Sequence, residues 1–355
     1  MIRRRASAAL ILSALMLGAC GGVGGSSQAP SEPAAALTEI ELLVPFPYPG
    51  MLRPGLIMAE DRFFAEQGLD VTVTTVDGSA VVAQQLIAGN ATIGTLDVAS
   101  ILIANADGHE IRAIAGFNKG AFDIIVPDDS EVQGIADLEG LTLGVTDLSG
   151  GEMNLVRAAL ADEGLDESNV EVIAVGEGGP ASFLALQDGT IDAFAGAVND
   201  FVALESEGLV RRSIVPEEYR GLPAGNWVVM QSTIDDPDLL DAAIRVVRAH
   251  AQGLVFADEN IDAAVAIGCD VVPEQCEDID RATTTMSTGL ESNRPTGENG
   301  WGFNNHELWT TTQETLLADA IEEPFDVTVA APNDFIDEIN NFDEAAVRAA
   351  AQEAG

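Results

Sequence analysis

Hydrophobic and polar positions follow two alternating periods through the first half of the chain. Residues 40–44 form a short apolar run of strand type, and residues 55–67 then place Leu56, Ala59 and Phe63 at helical spacing before Gly68. Short strands and helices continue to alternate in this way as far as residue 117. The pattern predicts a series of strand-helix units.

The same alternation resumes after residue 122 and then gives way to helices. Strands are predicted at residues 141–145, 170–175 and 191–195, with helices at 152–163 and 180–188 between them. Strands separated by helices favour right-handed crossovers and parallel pairing. From residue 235 onward the periodicity is largely helical, and helices are predicted at residues 237–258, 261–268, 305–320 and 333–340.

The order of these elements predicts an α/β protein with two lobes. Each lobe would hold a mostly parallel sheet flanked by helices, and the strands at residues 122–126 and 227–231 would cross between the lobes as a hinge. Lobe 1 would comprise residues 38–124 and 232–355, and lobe 2 residues 125–231. Ligands of open α/β sheets bind beyond the carboxyl ends of the strands, so we expect these ends to line one cleft.

The N-terminus has the features of an export signal. Three arginines, Arg3 to Arg5, precede an apolar stretch at residues 8–17, and Leu17-Gly18-Ala19-Cys20 follows. This segment resembles a bacterial lipoprotein signal, although an ordinary signal peptide could also contain a cysteine. We therefore expect residues 1–19 to be removed, a lipid on Cys20, residues 20–37 as a flexible tether, and an extracytoplasmic location at the cell membrane.

Composition limits the classes of protein that fit. The 355 residues include 58 acidic and 16 basic side chains, a formal net charge of -42, yet 47% are hydrophobic, which favours a globular chain over a disordered one. Nucleic-acid binding is disfavoured because Lys119 is the only lysine. The acidity is typical of proteins from salty habitats. A cationic ligand is the rival explanation, but the sequence shows no concentration of carboxylates in the predicted cleft.

Two cysteines remain in the exported part of the chain. Cys269 and Cys276 are close in sequence, and an oxidising compartment favours a disulfide between them. A zinc site is the poorer alternative because zinc would require further ligands, and His109, His250 and His306 stand apart. We expect neither a metal nor a cofactor.

Four segments resemble one family of transport proteins. They are FFAEQGLDVTV (63–73), QQLIAGNATIGTLD (84–97), IADLEGLTLGVTDLSGG (135–151) and ALQDGTIDAF (185–194). In this order and spacing, the chain from about residue 38 to 345 is similar to type II periplasmic substrate-binding proteins of ABC importers. The branch concerned serves alkanesulfonates, taurine, nitrate and thiamine-pyrimidine precursors.

The resemblance implies a monomeric solute-binding protein that delivers a small molecule to a membrane permease. An enzyme of pyrimidine-precursor synthesis is the first alternative, but enzymes of this type carry a run of closely spaced cysteines that is missing here. No hydrolase motif supports catalysis, so no catalytic residue is assigned. The second alternative is a solute sensor that docks on a membrane receptor.

Candidate ligand-binding residues lie where predicted strands end and helices begin. Helix N-termini offer unpaired N–H groups and a partial positive charge. The candidates of this kind are Gly78, Ser79, Thr95, Asp97, Ser149, Gly150, Gly151, Gly178 and Gly179. Ser149-Gly150-Gly151 is the preferred site for a polar group of the ligand, although Ser149 could instead cap its own helix.

Aromatic and basic candidates lie near the same strand ends. Phe46, Tyr48 and Trp227 could stack on a ring-shaped ligand, although aromatic side chains more often belong to the core. Asn118 and Lys119 follow a predicted strand, and Lys119 could neutralise an anion or simply face solvent. Arg53 has the same two interpretations; a sulfonate ligand would require Arg53 or Lys119 in the cleft. The aromatic candidates favour a heterocycle, such as a thiamine-pyrimidine precursor, over nitrate, while sulfonate and taurine remain open.

Overall fold

The computed structural model describes residues 36–46, 48–117, 122–294, 299–318 and 320–354. The expectations for the signal peptide, Cys20 and most of the tether fall outside the described residues, as do those for Asn118 and Lys119. From Ala36 onward the chain forms one compact unit.

Strands and helices alternate through the first two thirds of this unit. Within the described ranges the strands are β1 (Thr38–Val44), β2 (Leu69–Thr75), β3 (Ile93–Asp97), β4 (Ile111–Gly116), β5 (Phe122–Pro127), β6 (Thr142–Val145), β7 (Glu171–Ala174), β8 (Ala193–Ala197), β9 (Arg211–Ser213) and β10 (Gly225–Met230). The helices up to β10 are α1 (Pro54–Met58), α2 (Phe64–Glu66), α3 (Ser79–Ile87), α4 (Val98–Ala106), α5 (Glu152–Asp162), α6 (Pro180–Gln187) and α7 (Val198–Ser206). A π-helical turn, Ala59–Phe63, joins α1 to α2.

The last third of the chain is helical. Its helices are α8 (Gln231–Ile234), α9 (Pro237–Glu259), α10 (Ile261–Val271), α11 (Ile279–Ser292), α12 (His306–Thr315), α13 (Val327–Ala330), α14 (Ile336–Ile339) and α15 (Glu344–Glu353). The helix expected over residues 305–320 ends at Thr315, and only Ile336–Ile339 of the stretch 333–340 is helical. Cys269 and Cys276 are joined by a disulfide with 5.6 Å between their Cα atoms, the pairing that the sequence favours.

The strands form two five-stranded sheets, which confirms the two-lobed α/β fold. The first sheet has the order β2-β1-β3-β10-β4 and the second the order β7-β6-β8-β5-β9. In each sheet four strands point the same way, and only β10 and β5 are antiparallel to their neighbours. In chain order the sheets alternate twice, once between β4 and β5 and again between β9 and β10. The lobe boundaries at 124/125 and 231/232 stay a prediction.

Both faces of each sheet are covered by apolar side chains. In β1, Leu42 packs into the core on one face and Leu43 into the core on the other, because successive side chains of a strand point in opposite directions. The second sheet has the same arrangement, with separate clusters around Val145 and Phe194. Among the described residues, no helix is long and apolar enough to cross a membrane. Because both sheets are packed on both faces, the turns at the ends of their strands are held in position.

We expect the fold to be less stable at low salt. Mutual repulsion among side chains with a formal net charge of -42 opposes compaction, and salt screens it: the Debye length falls from about 10 Å at 0.1 M to about 3 Å at 1 M. The melting temperature should therefore rise by several degrees between about 0.1 M and about 1 M NaCl. Sucrose stabilises folded proteins without screening charge, so the shift in melting temperature that it produces is the control for the shift produced by NaCl. A melting temperature independent of NaCl would contradict this expectation.

Candidate functional site

A cavity of about 390 Å³ lies between the two sheets, where their turns meet. The first sheet contributes residues at or just after the ends of its parallel strands: Phe46 after β1, Asp77 after β2, Thr95 in β3 and Phe117 after β4. Gly225, at the start of the antiparallel strand β10, also lines the cavity. This wall is therefore formed by the carboxyl edge of the first sheet.

The second sheet forms the opposite wall in the same way. Asp147 follows β6, Glu177 follows β7, and Asn199 lies just after β8 at the start of α7. Phe122, the first residue of the antiparallel strand β5, completes this wall. Parallel strands bring their carboxyl ends to one edge of a sheet, so the two sheets present two such edges to one cavity.

Seven of the fourteen ligand-binding residues predicted from the sequence line this cavity. They are Phe46, Gly78, Ser79, Thr95, Asp97, Gly150 and Gly151. Arg53, whose position the sequence left open, lines it as well. Turns that are far apart in sequence therefore come together at the place where the strand-helix pattern predicted a cleft.

Two glycines allow the turns of the two sheets to approach closely. Gly78 has a φ of +81°, and a Cβ there would lie 2.6 Å from the carbonyl oxygen of Ser149. A Cβ on Gly151 would lie 2.9 Å from Oδ2 of Asp97. At Gly78 the close atom belongs to the backbone and φ is positive, so glycine is required; at Gly151 a Cβ would force the neighbouring side chains to move.

Besides Ser149, four other predicted residues of the described ranges lie outside the cavity lining. Tyr48 is half-buried, and its hydroxyl donates a hydrogen bond to Glu60. Trp227 is 2% exposed and packs in the core of the first sheet. Gly178 donates its N–H to Oδ1 of Asp200 at 2.7 Å and lines an adjoining cavity of about 450 Å³. The N–H of Gly179 donates to Oγ of Ser182 at 3.0 Å.

Ser149 lies at the edge of the cavity and connects its two walls. Its N–H and hydroxyl both donate to the carboxylate of Asp147, and Oγ is also 3.3 Å from the carbonyl oxygen of Asp77. The residue that precedes helix α5 is Gly151, and no side chain caps that helix end. Ser149 therefore neither lines the cavity nor caps its helix.

Carboxylates concentrate in the cavity, contrary to the expectation from the sequence. Six acidic residues line it: Asp77, Asp97, Asp147, Glu152, Glu177 and Asp200. They come from turns after five different strands, and so no segment of the sequence shows them as a cluster. The cavity lining is therefore strongly acidic, and the argument against a cationic group on the ligand is wrong.

Three of these carboxylates are buried and also organise the turns around them. Asp97 caps α4 by accepting from the N–H of Ser100 at 2.9 Å, and Asp200 accepts from the N–H of Ala197 at 2.7 Å. Oε1 of Glu152 accepts from the N–H of Thr146 at 3.2 Å. Burial raises the pKa of each of the three carboxyl groups, and these hydrogen bonds partly offset the effect.

Arg53 is the one cationic side chain among the described residues of the lining. Its guanidinium lies 3.9 Å from the centre of the Phe46 ring, a cation-π contact. Burial lowers its pKa to about 10, against the opposing effect of Asp200 and Glu177, so it carries its charge at neutral pH. The guanidinium donates no hydrogen bond to any described residue. It is therefore available to an acceptor group on a ligand.

Sequence reasoning missed Glu152, Glu177, Asn199 and Asp200. Each of them follows a predicted glycine turn or strand within a few residues. This position after a strand or turn was the signal that could have identified them as site residues. Across the part of the chain that the structure describes, no group of three or more His, Cys, Asp or Glu side chains has the arrangement of a metal site.

Two sheets of this topology, with helices on both faces and a cavity at their facing edges, define a periplasmic-binding-protein fold. The chain belongs to the NMT1/THI5-like family, whose model matches residues 54–264. The riboflavin-binding protein RibY of Chloroflexus aurantiacus is 24% identical over 350 residues, which are 92% of this chain and 96% of that protein.

Solved structures share the fold at low identity. A protein of Bordetella bronchiseptica RB50 is 23% identical, with a TM-score of 0.68 over 85% of this chain and 97% of that one. The alkanesulfonate-binding protein SsuA from Xanthomonas axonopodis pv. citri, bound to MOPS, is 16% identical, with a TM-score of 0.61 over 84% of this chain and 99% of its own. At these identities the solved structures show that the chain shares their fold.

Proposed function

We propose that this protein captures a small organic solute in the cavity between its sheets and delivers it to an ABC permease. The observation that carries the proposal is that one cavity is lined from both sheets by the turns beyond their parallel strands. A solute held there contacts both lobes at once, so its binding favours the closed arrangement that a permease can recognise. Cys20 would anchor the protein to the membrane by a lipid.

The polar groups of the cavity indicate the class of solute. Arg53 offers a positively charged donor, and the acidic residues offer carboxylate acceptors on both walls. Phe46, Phe117 and Phe122 provide apolar ring surfaces between them. A compact heterocycle that carries both carbonyl-type acceptors and N–H or O–H donors fits this arrangement.

A flavin or a pyrimidine precursor fits better than a sulfonate. Riboflavin, the solute in the name of the relative RibY, is a heterocycle with acceptors and donors, and we extend that class to this chain. A sulfonate could bind Arg53, but six acidic side chains around one guanidinium disfavour a ligand that is only an anion. The same acidity does not disfavour taurine, because its ammonium group could pair with a carboxylate.

A binding panel tests the function and the solute class together. Riboflavin, an aminopyrimidine, taurine, MOPS and nitrate would each be added to the purified protein in about 1 M NaCl, where surface charge is screened. We expect the heterocycles to raise the melting temperature, since a ligand that binds the folded state stabilises it. A shift produced only by MOPS or nitrate would contradict the proposed class. Turnover of a heterocycle would favour the enzyme alternative.

Replacing Arg53 should weaken binding without unfolding the protein. For the solute that binds, Arg53→Met should raise the dissociation constant by about tenfold or more, because a charge-assisted hydrogen bond is lost. Arg62→Met is the matched control: Arg62 also stacks on a phenylalanine ring, Phe63, but does not line the cavity. Titration calorimetry measures both variants. Equal affinity in the wild type and Arg53→Met would remove Arg53 from the site.

A further inference from the structure

Another, much smaller cavity adjoins the main one at the core of the first sheet. It measures about 20 Å³ and shares four residues with the main cavity: Phe46, Arg53, Thr95 and Phe117. Its remaining lining is Pro54, Gly55, Leu56, Trp227, His250 and Asn293. We call this space the inner chamber.

Three buried polar atoms with no hydrogen-bond partner among the described residues belong to residues that line the inner chamber. They are Oγ1 of Thr95, Nε1 of Trp227 and Oδ1 of Asn293. The three residues are 1%, 2% and 7% exposed. Buried polar groups in folded proteins are nearly always paired with protein or with an ordered water, so three unpaired ones around one small space indicate an occupant.

The three atoms differ in the hydrogen-bonding roles that they can take. The indole N–H of Trp227 can only donate, and the hydroxyl of Thr95 can do either. Nδ2 of Asn293 donates to the carbonyl oxygen of Gly289 at 2.7 Å, so Oδ1 is the atom left to accept. An occupant that satisfies all three atoms must both accept and donate. A carbonyl oxygen or a metal ion cannot do this, whereas the oxygen of a water or a hydroxyl group can.

The walls and the size of the chamber restrict the occupant further. The rings of Trp227 and His250 lie 5.0 Å apart between centroids, and the Phe117 ring lies 5.7 Å from that of Trp227. A volume of about 20 Å³ is enough for one water molecule, which needs about 10–15 Å³ and two to four polar partners. The chamber therefore has room for one oxygen atom and not for a ring.

We propose that the inner chamber binds a single hydroxyl-type oxygen between Thr95, Trp227 and Asn293, and that in the solute-free protein this oxygen is a water molecule. The proposal rests on the three unpaired atoms and does not depend on the solute class proposed for the main cavity. Because Arg53 and Phe46 line both spaces, this oxygen would form part of the polar surface that contacts the solute.

A crystal structure of the purified protein without added solute tests the proposal directly. We expect an ordered oxygen within about 2.6–3.2 Å of at least two of the three atoms. A well-ordered chamber that contains no density, or side chains that pair with one another instead, would overturn it. A second crystal with bound riboflavin separates the two sources, since either the water keeps its place or a hydroxyl of the solute occupies the same position.

The sign of a change in melting temperature provides an independent test. In a hydrated chamber, Thr95→Val removes a hydrogen bond and should lower the melting temperature; in a dry chamber it removes an unpaired hydroxyl and should raise it. Thr312→Val is the calibration, because the buried Thr312 hydroxyl donates to the carbonyl oxygen of Leu308 at 2.8 Å. Both variants are compared without solute. A melting temperature of Thr95→Val at or above that of the wild type would overturn the proposal.

Discussion

Between pH 6.5 and pH 4, His250 is expected to lower the free energy of unfolding of the wild type by about 3 kcal/mol. The variant His250→Asn should not show this loss. His250 is 8% exposed and lies against the rings of Phe117 and Trp227. Burial, reinforced by the charge of Arg53, lowers the pKa of its imidazole to about 3. The ring is therefore neutral in the folded protein across the physiological range.

The sign of this effect follows from the difference between the folded and unfolded states. Below pH 6.5 the unfolded chain binds a proton on His250 that the folded chain does not bind, so stability falls by about 1.4 kcal/mol per pH unit. The loss continues until the pH reaches the folded-state pKa of about 3. Above pH 6.5 this contribution to stability is complete.

Urea unfolding from pH 4 to pH 8 measures the effect. His250→Asn is expected to have a lower stability at neutral pH, because it leaves a gap between two rings, but a flatter profile in acid. His109→Asn is the control, since His109 is exposed and should keep the wild-type profile. A His250→Asn profile parallel to that of the wild type below pH 6.5 would show that the histidine is protonated in the folded protein.

Replacing Gly253 with alanine is expected to destabilise the protein by about 3 kcal/mol. Gly253 lies in α9, where that helix crosses α1, and a Cβ there would lie 2.3 Å from the carbonyl oxygen of Gly55. Backbone atoms cannot give way as a flexible side chain can, so the two helices would have to separate. Because α1 begins directly after Arg53, this displacement should also weaken solute binding.

Gly134→Ala is the matched control for this variant. Gly134 has an extended backbone, with a φ of -159°, and a Cβ there would meet no atom within 4 Å. The free energy of unfolding of Gly134→Ala should stay within about 0.5 kcal/mol of the wild-type value. Thermal unfolding in high salt compares the two. A Gly253→Ala variant as stable as Gly134→Ala would mean that α1 and α9 do not pack as closely as described.

Local patterns in the sequence predicted most elements of the fold, although two late helices are shorter than expected. Leu42 and Leu43 are both buried, and a run of apolar residues is the pattern of a strand covered on both faces. Asp97, which the sequence placed between a strand and a helix, caps α4, and an acidic residue that can accept from the first N–H groups of a helix is a local signal. Such features depend on neighbours in sequence, which is why they could be read without coordinates.

The chemistry of the site depended on contacts that the sequence does not show. Trp227 is near a strand end, but β10 inserts between β3 and β4 and thereby places the indole in the core. Glu152 and Asp200 are two acidic residues among 58, and only the pairing of β6 with β8 brings their turns to one cavity. Long-range strand order therefore decided which candidates line the cavity.

The electrostatic character of the cavity connects the site with the fold. Buried carboxylates such as Asp97 and Asp200 hold the turns through backbone N–H groups and at the same time make the cavity acidic. Arg53 is close enough to Asp200 and Glu177 for their charges to raise its pKa, although burial has the larger and opposite effect. A solute that offers an acceptor to Arg53 and donors to the carboxylates would match both kinds of charge.

A crystal structure with the solute that binds in the panel would show whether one solute is held between the two sheets. We expect density in the cavity of about 390 Å³, with contacts to Arg53 or Thr95 on one wall and to Glu152 or Asn199 on the other. A solute found outside this cavity, or in contact with residues of only one sheet, would contradict it.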